Sequence, residues 1–79
     1  MKVEIRLFAT FREFLPPGST TFSFTKELEA DATVQGVIEA LKLPEHVPKI
    51  IIVNGVHAGS ERVLQEGDVL SLFPPIAGG

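Results

Sequence analysis

Only one segment of this chain has the apolar spacing of an amphipathic helix, and it stands among segments patterned as strands. Four apolar residues occupy the i, i+3, i+4 and i+7 positions that line one helix face: Val34, Val37, Ile38 and Leu41. Thr33 is a suitable N-cap, and Pro44 ends the segment because the residue before a proline avoids helical angles. One such helix can cover only one face of one sheet. We therefore predict a helix from about Thr33 to Lys42 and a sheet whose other face has no helical cover.

Two segments before the helix have the alternation of strands. Residues 2–8 alternate between two sides, and the apolar side consists of Val3, Ile5 and Leu7. Phe8 falls on the opposite side, with the charged residues. A second strand is predicted over residues 20–25, with Phe22 and Phe24 directed inward. These two strands would form the first half of the sheet.

Three strand patterns follow the helix. Ile50–Val53 is apolar on both faces, as expected for an interior strand. Asn54-Gly55 favours a type I′ turn, so residues 56–58 are predicted to return as a short partner strand. The last strand covers residues 69–73 and ends at Pro74-Pro75, which supplies no backbone donors. The order predicts an α+β fold, a mixed ββαββ sheet with one helix on one face.

The apolar faces of these elements define a predicted core. It consists of Val3, Ile5, Leu7, Phe22, Val34, Ile38, Leu41, Ile52 and Leu70. Phe11, Phe14 and Leu15 have the spacing of a single helical turn, which we expect to cover one end of this core. The sequence contains no cysteine, so the core must stabilise a domain of 79 residues without disulfides.

Charge and composition exclude several function classes. Ten acidic and seven basic residues give a net charge of −3, which argues against a general nucleic-acid binder. No apolar run is long enough to span a membrane, and no signal-peptide pattern is present, so we expect a cytoplasmic protein without a membrane partner. His46 and His57 lack metal-ligand spacing with any carboxylate, and no metal site is predicted.

The residues after the last strand suit a segment that enters a narrow channel in another protein. They read Phe73-Pro74-Pro75-Ile76-Ala77-Gly78-Gly79. The prolines favour an extended exit from the sheet, and the two glycines have no side chain to block entry into a narrow channel. Small residues are common at chain ends, so the glycine pair is weak evidence by itself. Its position directly after a final strand strengthens it, and we expect a domain over residues 1–75 with a flexible tail over 76–79.

Three segments match a known family pattern. They are Leu7-Phe8-Ala9-Thr10-Phe11-Arg12-Glu13, then Asp31-Ala32-Thr33-Val34, and then Glu66-Gly67-Asp68-Val69 through Phe73-Pro74-Pro75 to Gly78-Gly79. With them the whole chain resembles the MoaD/ThiS family of ubiquitin-like sulfur carriers, especially the small subunit of molybdopterin synthase. Thiamine-pathway carriers share the two glycines but usually lack the FPP element. The resemblance implies a β-grasp, ubiquitin-like fold.

The resemblance also implies that the chemistry takes place at the carboxylate of Gly79, after Gly78. In the family, an adenylyltransferase of the ubiquitin-activating type adenylates this carboxylate, and sulfur from a donor enzyme displaces AMP to leave a thiocarboxylate. The carrier then docks into a larger catalytic synthase subunit, which receives the sulfur. ATP and Mg²⁺ belong to the activating partner, so no bound cofactor is expected. The chain would be a sulfur-donating subunit and not a complete enzyme.

Two function classes stay open. The first is a sulfur carrier, for molybdopterin or for thiamine thiazole, tRNA thiolation or a tungsten cofactor. The second is a ubiquitin-like modifier or interaction module that links the same carboxyl group to protein lysines. A thiocarboxylate on Gly79 would favour the first class, and covalent adducts on other proteins the second.

The alternation of side chains between the two faces of each strand predicts where a partner would bind. Leu70 and Leu72 should face the core, which puts Phe73 on the opposite face together with Phe8. In a β-grasp sheet the first and last strands are adjacent and parallel, so these two aromatics should be neighbours where the tail departs. The predicted partner-binding residues are Phe8, Phe73, Pro74, Pro75, Ile76 and Ala77. The alternative is that Phe8 folds under the 11–15 turn as ordinary core.

Overall fold

The computed structural model describes residues 1–75. Its elements, in chain order, are β1 (Lys2–Leu7), a 3₁₀ helix (Ala9–Phe14), β2 (Ser23–Glu27), α1 (Val34–Leu41), β3 (Ile50–Val53), β4 (Val56–His57) and β5 (Val69–Phe73). In this part of the chain, neither helix is long and apolar enough to cross a membrane.

The strands form one five-stranded sheet in the order β2-β1-β5-β3-β4. The first and last strands, β1 and β5, are parallel, and every other neighbouring pair is antiparallel. The apolar side of α1 packs on one face of this sheet. No helix among residues 1–75 covers the opposite face, which carries Phe8 and Phe73 and is called the open face below. The predicted mixed sheet with one helix on one face is therefore confirmed.

Helix α1 begins and ends where the sequence indicates. The side-chain oxygen of Thr33 accepts a hydrogen bond from the Gly36 amide at 3.2 Å, which caps the first turn. Lys42 adopts a left-handed conformation, with φ of 61°, and its amide closes the last turn on the carbonyls of Glu39 and Ile38. The helix is thus limited to two turns by local signals at both ends.

The core lies between α1 and the sheet. Its buried apolar residues are Val3, Ile5, Leu7, Phe11, Val34, Val37, Ile38, Leu43, Val53, Leu64, Leu70 and Leu72. The 3₁₀ helix buries Phe11 and packs Phe14 and Leu15 against this core, as the spacing of these residues predicted. Leu41 is half-buried at the margin of the core.

The prediction that Phe22 lies in the core is wrong. Strand β2 begins at Ser23, because Thr20 forms a closed turn with it: the Ser23 amide donates to the Thr20 side-chain oxygen at 3.0 Å. The Thr20 amide donates in return to the Ser23 carbonyl at 2.9 Å. The chain bends at Phe22, so strand alternation does not extend to this residue. Phe22 is 39% exposed, and its ring packs beside Phe8 on the open face.

The prediction that Ile52 lies in the core is also wrong. In the antiparallel register of β3 and β5, Ile52 pairs with Ser71, whereas Val53 pairs with the buried Leu70. Paired residues lie on the same face of a sheet, so Ile52 belongs to the open face and is half-buried there. Val53 is the β3 residue that is fully buried in the core, and Ile51 packs against the core from the same face.

Candidate partner-binding surface

Phe8 and Phe73 stack on the open face. Leu7 pairs with Leu72 in the parallel register, and the Phe8 amide donates to the Leu72 carbonyl at 3.2 Å, so the ladder continues one residue beyond β1. Phe8 keeps an extended backbone, with φ of −123° and ψ of 157°, and its side chain points away from the core. The two ring centroids are 4.3 Å apart, with 5° between the planes. The predicted neighbour relationship is confirmed.

Ala9 separates Phe8 from the core-covering 3₁₀ helix. Its φ of 54° is left-handed, a conformation that costs an alanine about 1–2 kcal/mol. This single residue turns the chain so that Phe11, and not Phe8, is buried under the 3₁₀ helix. Phe8 remains half-buried on the open face. The alternative placement of Phe8 as ordinary core is therefore excluded.

Two further apolar residues extend the stack in opposite directions. The ring of Phe22 lies 5.6 Å from that of Phe8, with 29° between the planes. On the other side, Ile50 is the cross-strand partner of Phe73. The stack and these two residues form an apolar row that crosses four chain segments, in the order Phe22, Phe8, Phe73 and Ile50. The two end residues, Phe22 and Ile50, are each 39% exposed.

Sequence patterns alone do not identify the ends of the apolar row. Phe22 looked like a core residue because it continues the alternation of β2. Ile50 belongs to a run that is apolar on both faces, and alternation cannot say which face of such a run is buried. The pairing of Ile50 with Phe73, given by the register of β3 against β5, supplies that information.

A charged pair borders the apolar row along β1. Arg6 lies two residues before Phe8 and shares its face. Its Nε donates to a Glu4 carboxylate oxygen at 2.6 Å, and its guanidinium carbon lies 6.0 Å from the centroid of the Phe22 ring. Both side chains are about two-fifths exposed, at 40% and 39%, so the ion pair contributes little to stability. The ion pair instead fixes a position, because it holds the arginine beside the row.

Pro74 and Pro75 end β5 at the apolar row. Pro74 is half-buried and Pro75 is exposed, and neither can donate a backbone hydrogen bond to continue the ladder. The remaining predicted site residues lie outside the described residues: Ile76, Ala77, Gly78 and Gly79. The described part of the predicted site is thus the surface from which residues 76–79 continue.

A buried carboxylate fixes the opposite end of β5. Asp68 is 6% exposed and accepts hydrogen bonds from the Asn54 side-chain amide and the Gln65 backbone amide, both at 2.8 Å. The Asn54 side-chain oxygen accepts in turn from the Val69 amide at 2.8 Å. Both oxygens of the carboxylate are therefore engaged in joining two turns. This is a structural role, which sequence reasoning missed because Glu66-Gly67-Asp68 reads as an exposed turn.

The side chains of the apolar row suit contact with another protein. The apolar row has no acid, base or nucleophile among its four side chains. Within residues 1–75, no three histidine, aspartate or glutamate side chains are grouped closely enough to hold a metal ion.

Comparison with known protein families and sequences finds full-length similarity. The model of the family described as Mut7-C ubiquitin matches residues 1–77. Small archaeal modifier protein 3 of Haloferax volcanii is 36% identical over 94 aligned residues, covering 100% of both chains.

Two solved structures share the fold along the whole chain. The crystal structure of small archaeal modifier protein 1 from Haloferax volcanii superposes with a TM-score of 0.75 at 29% identity, covering 100% of both chains. A complex of subunits 1 and 2 of the molybdopterin-converting factor from Helicobacter pylori contains a chain that matches with a TM-score of 0.64 at 27% identity, again over 100% of both chains. One similar protein is thus a named modifier, and another assembles with a second subunit.

Proposed function

The chain belongs to the Mut7-C ubiquitin family, among the MoaD/ThiS-like ubiquitin-like proteins, and on that premise we propose that it is a sulfur carrier whose reactive group is the carboxyl of Gly79. The observation that carries the proposal is the order of features at the end of the chain. Strand β5 ends in the half-buried stack of Phe73 on Phe8, and Pro74-Pro75 and then Gly78-Gly79 follow in sequence. The binding surface is thereby followed by a segment that ends in two residues without side chains.

The proposed reaction begins by activating a poor electrophile. A partner adenylyltransferase of the ubiquitin-activating type uses ATP and Mg²⁺ to convert the Gly79 carboxylate to an acyl adenylate, releasing pyrophosphate. Sulfide sulfur from a donor enzyme then attacks the acyl carbon, and AMP leaves as the C–S bond forms. The product is a thiocarboxylate, which is nucleophilic at neutral pH. Because the reaction consumes ATP, we place the protein in the cytoplasm.

The acceptor would be reached through a larger catalytic subunit. In our proposal the stack of Phe8 on Phe73 docks on that subunit, Pro74 and Pro75 guide the chain into it, and Ile76 and Ala77 line the approach to the reacting carbon. The subunit 1–subunit 2 complex of the molybdopterin-converting factor supports this arrangement. A pterin precursor of molybdopterin is accordingly the first acceptor to test.

A second candidate function is protein modification. It is favoured by the 36% identity to a protein named small archaeal modifier protein 3. The first step would be the same adenylation of Gly79, but a lysine amine would attack in place of sulfur and leave an isopeptide bond. The two functions therefore share the activating partner and differ in the nucleophile.

Isolation of the protein from its source cells distinguishes the two functions. Tandem mass spectrometry of the peptide that contains Gly78 and Gly79 would show a thiocarboxylate if the chain carries sulfur. A branched peptide, with Gly79 joined to a lysine of another protein, would show modification. Finding neither species, in cells where the activating enzyme is expressed, would contradict both candidates.

A further inference from the structure

Phe22, at one end of the apolar row, and Arg6 beside it lie beyond the stack of Phe8 on Phe73 that the proposed function requires. Phe22 lies outside β2 and is 39% exposed, so the buried core does not require an aromatic residue at this position. Large aromatic side chains that remain exposed in the free protein are frequent centres of binding energy in protein interfaces. Its ring continues the stack of Phe8 on Phe73 without a gap. A partner that covers the stack therefore meets Phe22 as well.

Arg6 adds a positive charge at this end of the row, and its contacts limit where that charge can lie. The interaction with Glu4 uses Nε, and among residues 1–75 the two terminal amino groups of the guanidinium form no hydrogen bond. Arginine can bind two carboxylates on different edges of its planar fork, so the outer edge is available to a partner. The nearby Phe22 ring and the Glu4 contact limit the positions that this fork can adopt.

We propose that Phe22 and Arg6 together select the larger catalytic subunit, by binding an apolar pocket that carries an aspartate or glutamate at its rim. The proposal rests on the proposed function, because it assigns the occupant of the same surface. Neighbouring strands are about 4.8 Å apart, so the four-residue row requires an apolar groove about 14 Å long. The Arg6 guanidinium carbon lies 6.0 Å from the centroid of the Phe22 ring, which puts the partner's carboxylate beside the Phe22 end of that groove.

The surface has one competing occupant, a second copy of this chain. An isologous dimer would place two Arg6 residues near each other, together with two Glu4 residues, in a shared interface. A catalytic subunit with an acidic rim would meet Arg6 with opposite charge and would leave Glu4 paired within its own chain. The complex of subunits 1 and 2 of the molybdopterin-converting factor, which contains a chain similar to this one, favours the catalytic subunit as the occupant.

Binding measurements on the full chain test the proposal. The probe is the source organism's own counterpart of subunit 2 of the molybdopterin-converting factor, titrated by calorimetry. Phe22→Ala and Arg6→Gln should each raise Kd about fivefold or more. Phe22→Leu, which keeps apolar volume and removes the ring, serves as a second variant and should give a smaller loss. Thermal unfolding checks that each variant is folded.

Matched controls lie outside the apolar row. Val56 is 62% exposed on β4, and Arg62 is an exposed arginine whose backbone contacts the start of α1. Val56→Ala and Arg62→Gln remove the same kinds of group from other sites and should leave Kd within about twofold. The salt dependence separates the two proposed contacts: Arg6→Gln should flatten the rise of Kd with ionic strength, whereas Phe22→Ala should not.

The outcomes distinguish this proposal from the function on which it rests. If the unaltered chain binds, Phe8→Ala weakens binding and both the Phe22 and Arg6 variants bind normally, this proposal is overturned while the docking role of the stack stands. If the unaltered chain does not bind the probe at all, the proposed acceptor fails and this proposal fails with it. If sedimentation shows a dimer that Phe22→Ala dissociates, the occupant is a second copy and the proposal is wrong.

Discussion

The rings of Phe8 and Phe73 stack with centroids 4.3 Å apart, joining the residue after the first strand to the end of the last. Such a stack contributes about 0.5–1.5 kcal/mol to stability beyond the area that it buries. Neither phenylalanine belongs to the buried core, so both remain accessible to a partner. Phe8 therefore serves folding and, in our proposal, binding, and a useful experiment must measure the two effects separately.

Phe8→Ala and Phe73→Ala should each weaken association with the larger catalytic subunit by about 1–4 kcal/mol, the usual range for an aromatic at the centre of an interface. Folding should be affected less than by Leu7→Ala, which removes a fully buried side chain and should cost about 2–5 kcal/mol. Calorimetric titration gives the affinity, and urea denaturation gives the free energy of unfolding. If Phe8→Ala unfolds the domain while affinity per folded molecule is unchanged, the binding surface must be reassigned to Phe73.

Deleting Gly79 should abolish sulfur transfer and change the free energy of unfolding by less than about 0.5 kcal/mol, since a terminal glycine has no side chain to pack in a core. The deletion moves the reactive carboxyl group one residue closer to β5, out of reach of a site shaped for the full segment. Adding one alanine after Gly79 displaces the group in the other direction and should also abolish transfer. Transfer by either altered chain, measured with the activating enzyme and acceptor, would locate the chemistry elsewhere.

Incubation with ATP, Mg²⁺, the activating enzyme and a sulfur donor should produce a species that iodoacetamide alkylates rapidly. The sequence has no cysteine, so an adduct on the peptide ending at Gly79 identifies the thiocarboxylate. Intact mass is ambiguous by itself, because exchange of oxygen for sulfur changes the mass nearly as much as oxidation of Met1. Omitting ATP is the control. Absence of the adduct, under conditions that load a known carrier, would count against the proposed function.

The elements predicted most closely are those with local signals at both ends. Helix α1 has a threonine cap and an apolar stripe, and β5 is bounded by a turn and by Pro74. The neighbouring positions of Phe8 and Phe73 followed from strand parity, once the fold implied that β1 and β5 are adjacent. Local sequence was sufficient for α1 and β5, whereas the adjacency of β1 and β5 came from the fold that the family resemblance implies.

The errors occurred where the position of a bend or the register of a strand decides the outcome. Phe22 is turned away from the core by hydrogen bonds between Thr20 and Ser23, and alternation cannot indicate where such a bend occurs. Ile52 lies on the open face because of its register against Ser71. A run that is apolar on both faces fits either register equally well. The same ambiguity concealed Ile50 as the end of the apolar row.

Removing the buried carboxylate of Asp68 should destabilise the domain without weakening the proposed interface. Asp68→Ala leaves the Asn54 side-chain amide and the Gln65 backbone amide without their acceptor, and we expect a loss of about 1–3 kcal/mol in the free energy of unfolding. Asp31→Ala, at an exposed position, is the matched control and should change it by less than about 0.5 kcal/mol. Asp68 precedes β5, whereas Phe73 ends it, so affinity per folded molecule should stay within about twofold of the unaltered chain. If the Asp68→Ala variant is fully folded and still loses much of its affinity, the Asn54–Asp68 contact controls the position of Phe73.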